Sequence, residues 1–454
     1  MANRVFGAAV AEACVSSGRS SALALSRAAV LAVLFVLAWQ RAWKFVVPGF
    51  NVGGTPHNHL GQAIRAAEVL AVIASLSFVI AGPAPLSRLL RGRLGTLAAL
   101  AFALAGLAGA SSLWALHPGL AVVQGMHLLI WAAFALVVAW ARVPPHRMAT
   151  AFVLGLLVHA AVGFAQVIVQ NHVGLTVLGE LRIPPDDPLK SVRAGDSLFL
   201  RAYGLSPHPN VLAGHLAIGL ILCWGLAAGM SRVGRALVAV AWAIVFACLL
   251  LTFSRSGLLA AVLGIVVAAA WLTHTGTLAR PVAGPVWKIA GVAAVMLAVF
   301  AYAFNRYVAN RWMDALLGSD VRLVLMNVAL KLIAEHPLAG VGAGNFSLAT
   351  RAATQGQTTY DAVHNAPLLI DAELGLAGLA AASSIATVVA VVGYHRWRAR
   401  SMHRWHGPLA GSLVALATVG LFDHYLWTHP QGGLMGAWLV GWWLTNDSND
   451  TSSA

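Results

Sequence analysis

Twelve apolar runs, at approximately 22–39, 66–82, 95–113, 120–141, 148–169, 211–229, 236–252, 257–273, 287–304, 366–393, 408–422 and 430–444, divide this chain and leave it few ways to fold. A helix needs about 20 apolar residues to cross a bilayer, and in lipid every backbone N–H and C=O must find a partner within the protein. Only 10% of the 454 residues are charged, and mean hydropathy is +0.78. Soluble domains carry roughly 25% charged residues. The expected fold is an all-α polytopic integral membrane protein with about 12 transmembrane helices. Arg27 interrupts the first run and the last two are short, so eleven or thirteen spans stay open. No linker or internal repeat divides the chain, which reads as a single membrane domain, 1–454, with two long connections at 170–210 and 305–363.

The net charge of +14 is a matter of topology, not of nucleic-acid binding. The basic residues fall in short tracts between apolar runs, and such tracts mark the cytoplasmic side. With the N-terminus inside, Arg88, Arg91, Arg93, Arg142, Arg147, Arg232, Arg235 and the tract Arg396, Arg398, Arg400, Arg404 share that side. Both termini come out cytoplasmic, and both long loops lie on the far side. The first twenty residues are mixed and polar, unlike a cleavable signal, so the first span is expected to remain as an anchor. Cys14, Cys223 and Cys248 give neither a disulfide framework nor metal-ligand spacing.

The first long loop, with its prolines and charges, is expected to be irregular. The second contains one clear helix, about 319–336, capped by Ser319 or Asp320 and stopped by Pro337 and Gly340. Asn327, Lys331 and Glu335 form its polar stripe, and its other faces are apolar, as in a lid lying against the membrane domain.

The candidate chemistry sits at the far-side boundary. His364 precedes the run at 366–393, where the positive end of a helix favours the neutral imidazole that a general base requires. Arg201, His208 and Asn210 belong to RAYGLSPHPN, where a helix start and a guanidinium together suit an anion. Arg255 lies in TFSRSG, a tight turn between two spans, where an arginine is costly unless it snorkels or meets an anion. Arg322 and Lys331 lie on the loop helix. GVGAGNF, Gly340 to Phe346, reads as a flexible loop exposing backbone N–H groups, because no strand precedes it. In FDHYLWTHPQGG, Asp423, His424 and His429 could polarise a hydroxyl, stack on a sugar or bind metal, or simply form an aromatic turn at the membrane surface. His57 and His59 invite the same two readings. No zinc-ligand cluster, Walker loop or pair of catalytic carboxylates is visible, and no metal or cofactor is expected. Arginines from three segments and one histidine at a single membrane face fit an amphipathic, multiply charged anion such as a lipid-linked pyrophosphate.

RAYGLSPHPN, TFSRSG, SDVRLVLMNVALKLIAEHPLAGVGAGNF, and His364-Asn365 followed by Gly375-x-x-Gly378 resemble, in that order, the bacterial O-antigen ligase family. The family also includes O-antigen polymerases and protein O-oligosaccharyltransferases. The resemblance implies an inverting, metal-independent transfer of O-antigen glycan from undecaprenyl pyrophosphate to a sugar hydroxyl of lipid A-core, on the periplasmic face of the bacterial inner membrane. By that resemblance His364 would be the base, with Arg201 and Arg255 holding the pyrophosphate. Arg322, His208, Asn210, Asn365, Arg193 and Lys331 would help to bind substrate. Arg193 and Gly204 also satisfy an Arg-x10-Gly spacing associated with polymerases, but no counterpart starts from Arg306, Arg311, Arg322 or Arg351. A polymerase or protein O-oligosaccharyltransferase is the alternative, and a transporter of polyprenyl-pyrophosphate glycans a more distant one.

Overall fold

The computed structural model describes residues 2–45, 51–52, 55–56, 62–82, 92–183, 191–276, 280–316, 321–354 and 361–445. His57, His59, the caps at Ser319 and Asp320, and the polar tail fall outside the described residues. Each of the twelve predicted runs carries a helix, and the chain is an all-α, multi-pass membrane protein.

Among the described residues, eight helices are long and apolar enough to cross a membrane. In chain order the helices on the apolar runs are α1 (Ala2–Val36), α2 (Ala66–Ala81), α3 (Gly92–Ala110), α4 (Pro118–Trp140), α5 (Pro145–Val169), α6 (Pro209–Ala227), α7 (Arg232–Leu251), α8 (Arg255–His274) and α9 (Arg280–Ala303). After the second long loop come α13 (Ala366–Arg398), α14 (His406–Phe422), the single turn α15 (Tyr425–Thr428) and α16 (Pro430–Trp443). α2, α14 and α16 are shorter than a full span. At 14 residues α16 rises only about 21 Å, against a hydrocarbon core of about 30 Å. The shortness of the last two runs was already visible in the sequence.

The helix starts follow local chemistry. Proline opens α4, α5, α6 and α16, where its missing N–H costs nothing. Ser231 and Ser254 cap α7 and α8 through their hydroxyls. Arg27, which weakened the first run, donates from Nε to the Ala141 carbonyl at 2.7 Å and so brings its charge to the end of α4. α6 is the central helix, buried along nearly its whole length and packed on α5, α7, α8 and α14.

Both long loops are more ordered than the sequence reading allowed. The first contains an antiparallel hairpin, β1 (Ser191–Ala194) and β2 (Ser197–Leu200), where irregular structure was expected. Short alternating segments around Gly195, at φ 61°, fold back at the turn. The second long loop holds three helices instead of one: α10 (Asn305–Leu316), α11 (Val321–Glu335) and α12 (Phe346–Ala353). α11 is the predicted helix. It buries Leu325, Ala329 and Leu332 against α12 and α13 and keeps Lys331 and Glu335 outside.

GVGAGNF is not a flexible loop. All seven of its backbone N–H groups are committed: Gly340 to His336 O, Val341 to Ala372 O, Gly342 to Glu373 O and Asn345 to Gly342 O, with Ala343 on Ser111 Oγ and Gly344 and Phe346 on the Glu373 carboxylate. The segment docks into a break in α13 at Gly375, where φ 62° and ψ −166° interrupt the helix. A Cβ on Gly340 would lie 2.3 Å from the Glu373 carbonyl carbon, and one on Gly375 would lie 2.3 Å from that of Leu338. Two backbones touch here, and only glycine permits the approach.

Candidate active site

Hydrogen bonds between segments distant in sequence build the site. Asn365 caps α13 by accepting the Leu368 N–H at 2.9 Å, and its Nδ2 donates to the Leu421 carbonyl at the end of α14. His364 therefore stands just before the helix rather than within its first turn, half-buried, with its ring 5.0 Å from that of His424 in an edge-on contact.

Arg201 is buried although it begins a loop. Its Nε donates to Thr252 O at 2.8 Å and its Nη2 donates to Asn210 Oδ1 at 2.9 Å. The first bond ties RAYGLSPHPN to the TFSRSG turn, where Phe253 adopts φ 51° and Arg255 opens α8. The second orients Asn210, whose Nδ2 donates to Asp423 Oδ2 at 3.0 Å. Asp423 Oδ1 accepts the backbone N–H of His424, and the Thr428 hydroxyl lies 2.7 Å from His424 Nδ1. That hydroxyl also lies 3.3 Å from the His424 carbonyl, so it bridges the ring and the backbone of the same residue.

His208 caps α6 by accepting the Asn210 N–H at 3.1 Å. Burial pushes its imidazole down to about 3. Arg201, His364 and His429 add to the depression, and Asp423 opposes it. The same neighbours identify one cluster of Arg201, His208, Asn210, His364, Asp423, His424 and His429, drawn from three segments of the chain.

A second buried carboxylate braces this cluster. Glu373 accepts from Trp427 Nε1 at 2.7 Å and from the N–H groups of Gly344 and Phe346 at 2.8 and 3.2 Å. Trp427 lies in the turn that carries Asp423, His424 and His429, and its carbonyl accepts from Gln124 of α4 at 2.9 Å. Asn345 locks the other flank, accepting the His117 N–H at 2.7 Å. Sequence reasoning passed over Glu373, since nothing local distinguishes it from any acid near a helix start. Asp423 did carry a signal, an acid set between the apolar run 408–422 and an aromatic turn, which is costly without a partner.

The remaining predicted residues spread more widely. Arg322 is half-buried in the first turn of α11. Lys331 is exposed and pairs with Glu335 at 3.8 Å. Arg193 is exposed on β1, and its carbonyl accepts from Asn310 of α10 at 3.2 Å, which joins the two long loops. Among the described residues, no hydrogen bond or ion pair joins Arg193 or Lys331 to the cluster.

Residues 238–383 match the family model described as O-antigen ligase. The chain carries a domain of the O-antigen ligase family. No curated protein matches it. The O-antigen ligase match runs from within α7 through the break in α13, so it includes Arg255, Arg322, GVGAGNF and His364. Arg201, His208 and Asn210 lie before it and Asp423 after it, joined to the ligase domain only through folding.

Proposed function

We propose that this chain transfers O-antigen glycan from undecaprenyl pyrophosphate to a sugar hydroxyl of lipid A-core, at the periplasmic face of the bacterial inner membrane. The reading is supported by the ligase-family domain and the multi-pass helical architecture. It is carried by one structural observation: the chain Arg201–Asn210–Asp423, which links an arginine at the TFSRSG turn to the side-chain cluster that contains His364.

In this reading His364 takes the proton of the acceptor hydroxyl. The acceptor oxygen forms its bond to the anomeric carbon as the bond from that carbon to the pyrophosphate oxygen breaks, with inversion. Arg201 and Arg255 hold the pyrophosphate, and fixed cations stabilise the charge that accumulates as it departs. Arg322 is a further candidate for meeting that charge. Asp423, held by Asn210, orients the turn bearing His424. The transfer needs no resident metal.

Purified protein given undecaprenyl-pyrophosphate glycan and lipid A-core should form one new glycosidic linkage, and His364→Ala should abolish it while donor binding and folding persist. Near-normal turnover by that variant would remove His364 from the mechanism. Lengthening of the glycan without lipid A-core would make the protein a polymerase, and glycan on serine or threonine a protein O-oligosaccharyltransferase.

A further inference from the structure

Two imidazoles and a carboxylate converge where the base is proposed to act, and their supports are those of a transition-metal site. The ligand atoms of His364, Asp423 and His424 lie within 4.8 Å of one another. Bonds of about 2.0–2.2 Å in a tetrahedral zinc centre place ligand atoms about 3.3 Å apart, so a closure of about 1.5 Å completes a three-ligand shell. The outer contacts that a metal ligand needs are already present. The Thr428 hydroxyl lies against His424 Nδ1, and Asn210 Nδ2 with the His424 N–H holds the Asp423 carboxylate. Asp423 and His424 are buried, and half-buried His364 gives a cation access.

We infer that Zn2+, or a divalent ion of similar softness, binds His364, Asp423 and His424 and reversibly inhibits the protein. Binding takes the imidazole lone pair that the acceptor's proton would use. One feature makes this an inhibitory site and not that of a resident cofactor. Arg201 is coupled through Asn210 to the same carboxylate and places positive charge near the ion. Mg2+ prefers six oxygens in octahedral array and finds a single carboxylate here, so it does not compete. The binding half stands on side-chain geometry alone. The inhibition half rests on His364 being the base.

The test uses full-length protein without an oligohistidine tag, in detergent micelles and stripped with a chelator. Co2+ absorption should report one equivalent bound and displaced by Zn2+. Asp423→Asn and His424→Ala should each weaken binding at least tenfold, with His424→Gln as the substitute should the alanine variant not fold. His336→Ala, at the exposed end of α11, should bind like the parent. Zn2+ should lower glycan transfer at least tenfold, a chelator should restore it, and Mg2+ should do neither. Unchanged Co2+ binding in the Asp423 and His424 variants would eliminate the site. Transfer lost on chelation and regained with Zn2+ would make the ion a cofactor and overturn the proposal, as would full binding with undiminished transfer. If no transfer occurs under any condition, the enzymatic reading falls, while the Co2+ titration still decides the site.

Discussion

The indole N–H of Trp427 donates to the buried carboxylate of Glu373 at 2.7 Å, across 54 residues of chain. That bond joins α13, which follows His364, to the turn that presents Asp423, His424 and His429. The same carboxylate accepts the N–H groups of Gly344 and Phe346, so one side chain fixes three segments around the site. Trp427→Phe removes the N–H together with part of a buried ring. Losing the donor should by itself destabilise the protein by about 1–3 kcal/mol, the cost of leaving a buried acceptor short of a partner. It should also lower the turnover of transfer more than donor affinity. Thermal unfolding in detergent and steady-state kinetics with varied donor provide the check, and an unchanged turnover would separate the brace from catalysis.

The backbone contact between Gly340 and Gly375 admits no side chain. Both residues have positive φ, 63° and 62°, and either added Cβ would meet carbonyl atoms 2.3 Å away. Gly375→Ala and Gly340→Ala should each cost more than about 3 kcal/mol, combining left-handed strain with overpacking. Size-exclusion chromatography should show loss of the monodisperse species, whereas alanine at Gly106, which has open space around it and no positive φ, should cost far less.

Arg201 is anchored through two different nitrogens, to Thr252 O and to Asn210 Oδ1. Lysine offers a single ammonium and cannot reproduce that fork. Arg201→Lys should weaken donor binding about tenfold, equivalent to about 1.4 kcal/mol. Asn210→Ala should do likewise and also release Asp423. Titration with undecaprenyl pyrophosphate would measure both, and full affinity in Arg201→Lys would leave Arg201 with a structural role only.

The depressed His208 imidazole makes stability depend on pH. Its folded value of about 3 lies below its ordinary 6.5, so between those limits the unfolded chain binds the proton that the folded protein refuses. The contribution is fully present above pH 6.5 and is lost progressively as pH falls towards 3. His208→Gln should flatten that part of the curve of unfolding temperature against pH. An identical slope in the variant would assign the acid sensitivity elsewhere.

Much of the architecture was legible in the sequence because its causes are local. Apolar runs specify helices wherever lipid forbids an unpaired backbone. Pro118, Pro145, Pro209, Ser231, Ser254 and Asn365 mark where helices begin, through dihedral restriction and capping alone. The motifs around Arg201, Arg255 and His364 were likewise readable, since each combines a helix start with a charged or titratable side chain.

What the tertiary structure decided lies in contacts between residues far apart in the chain. GVGAGNF looked flexible because glycine spacing reports freedom, yet its seven N–H groups are satisfied by α13, His336, Ser111 and its own Gly342 carbonyl. The run 366–393 looked like one continuous span, and only the approach of Leu338 and Ala339 explains the break at Gly375. Asp423 became part of the site because Asn210, 213 residues away, donates to it. Periodicity records which face of an element is apolar. Hydrogen bonding between distant segments depends on how those faces finally assemble.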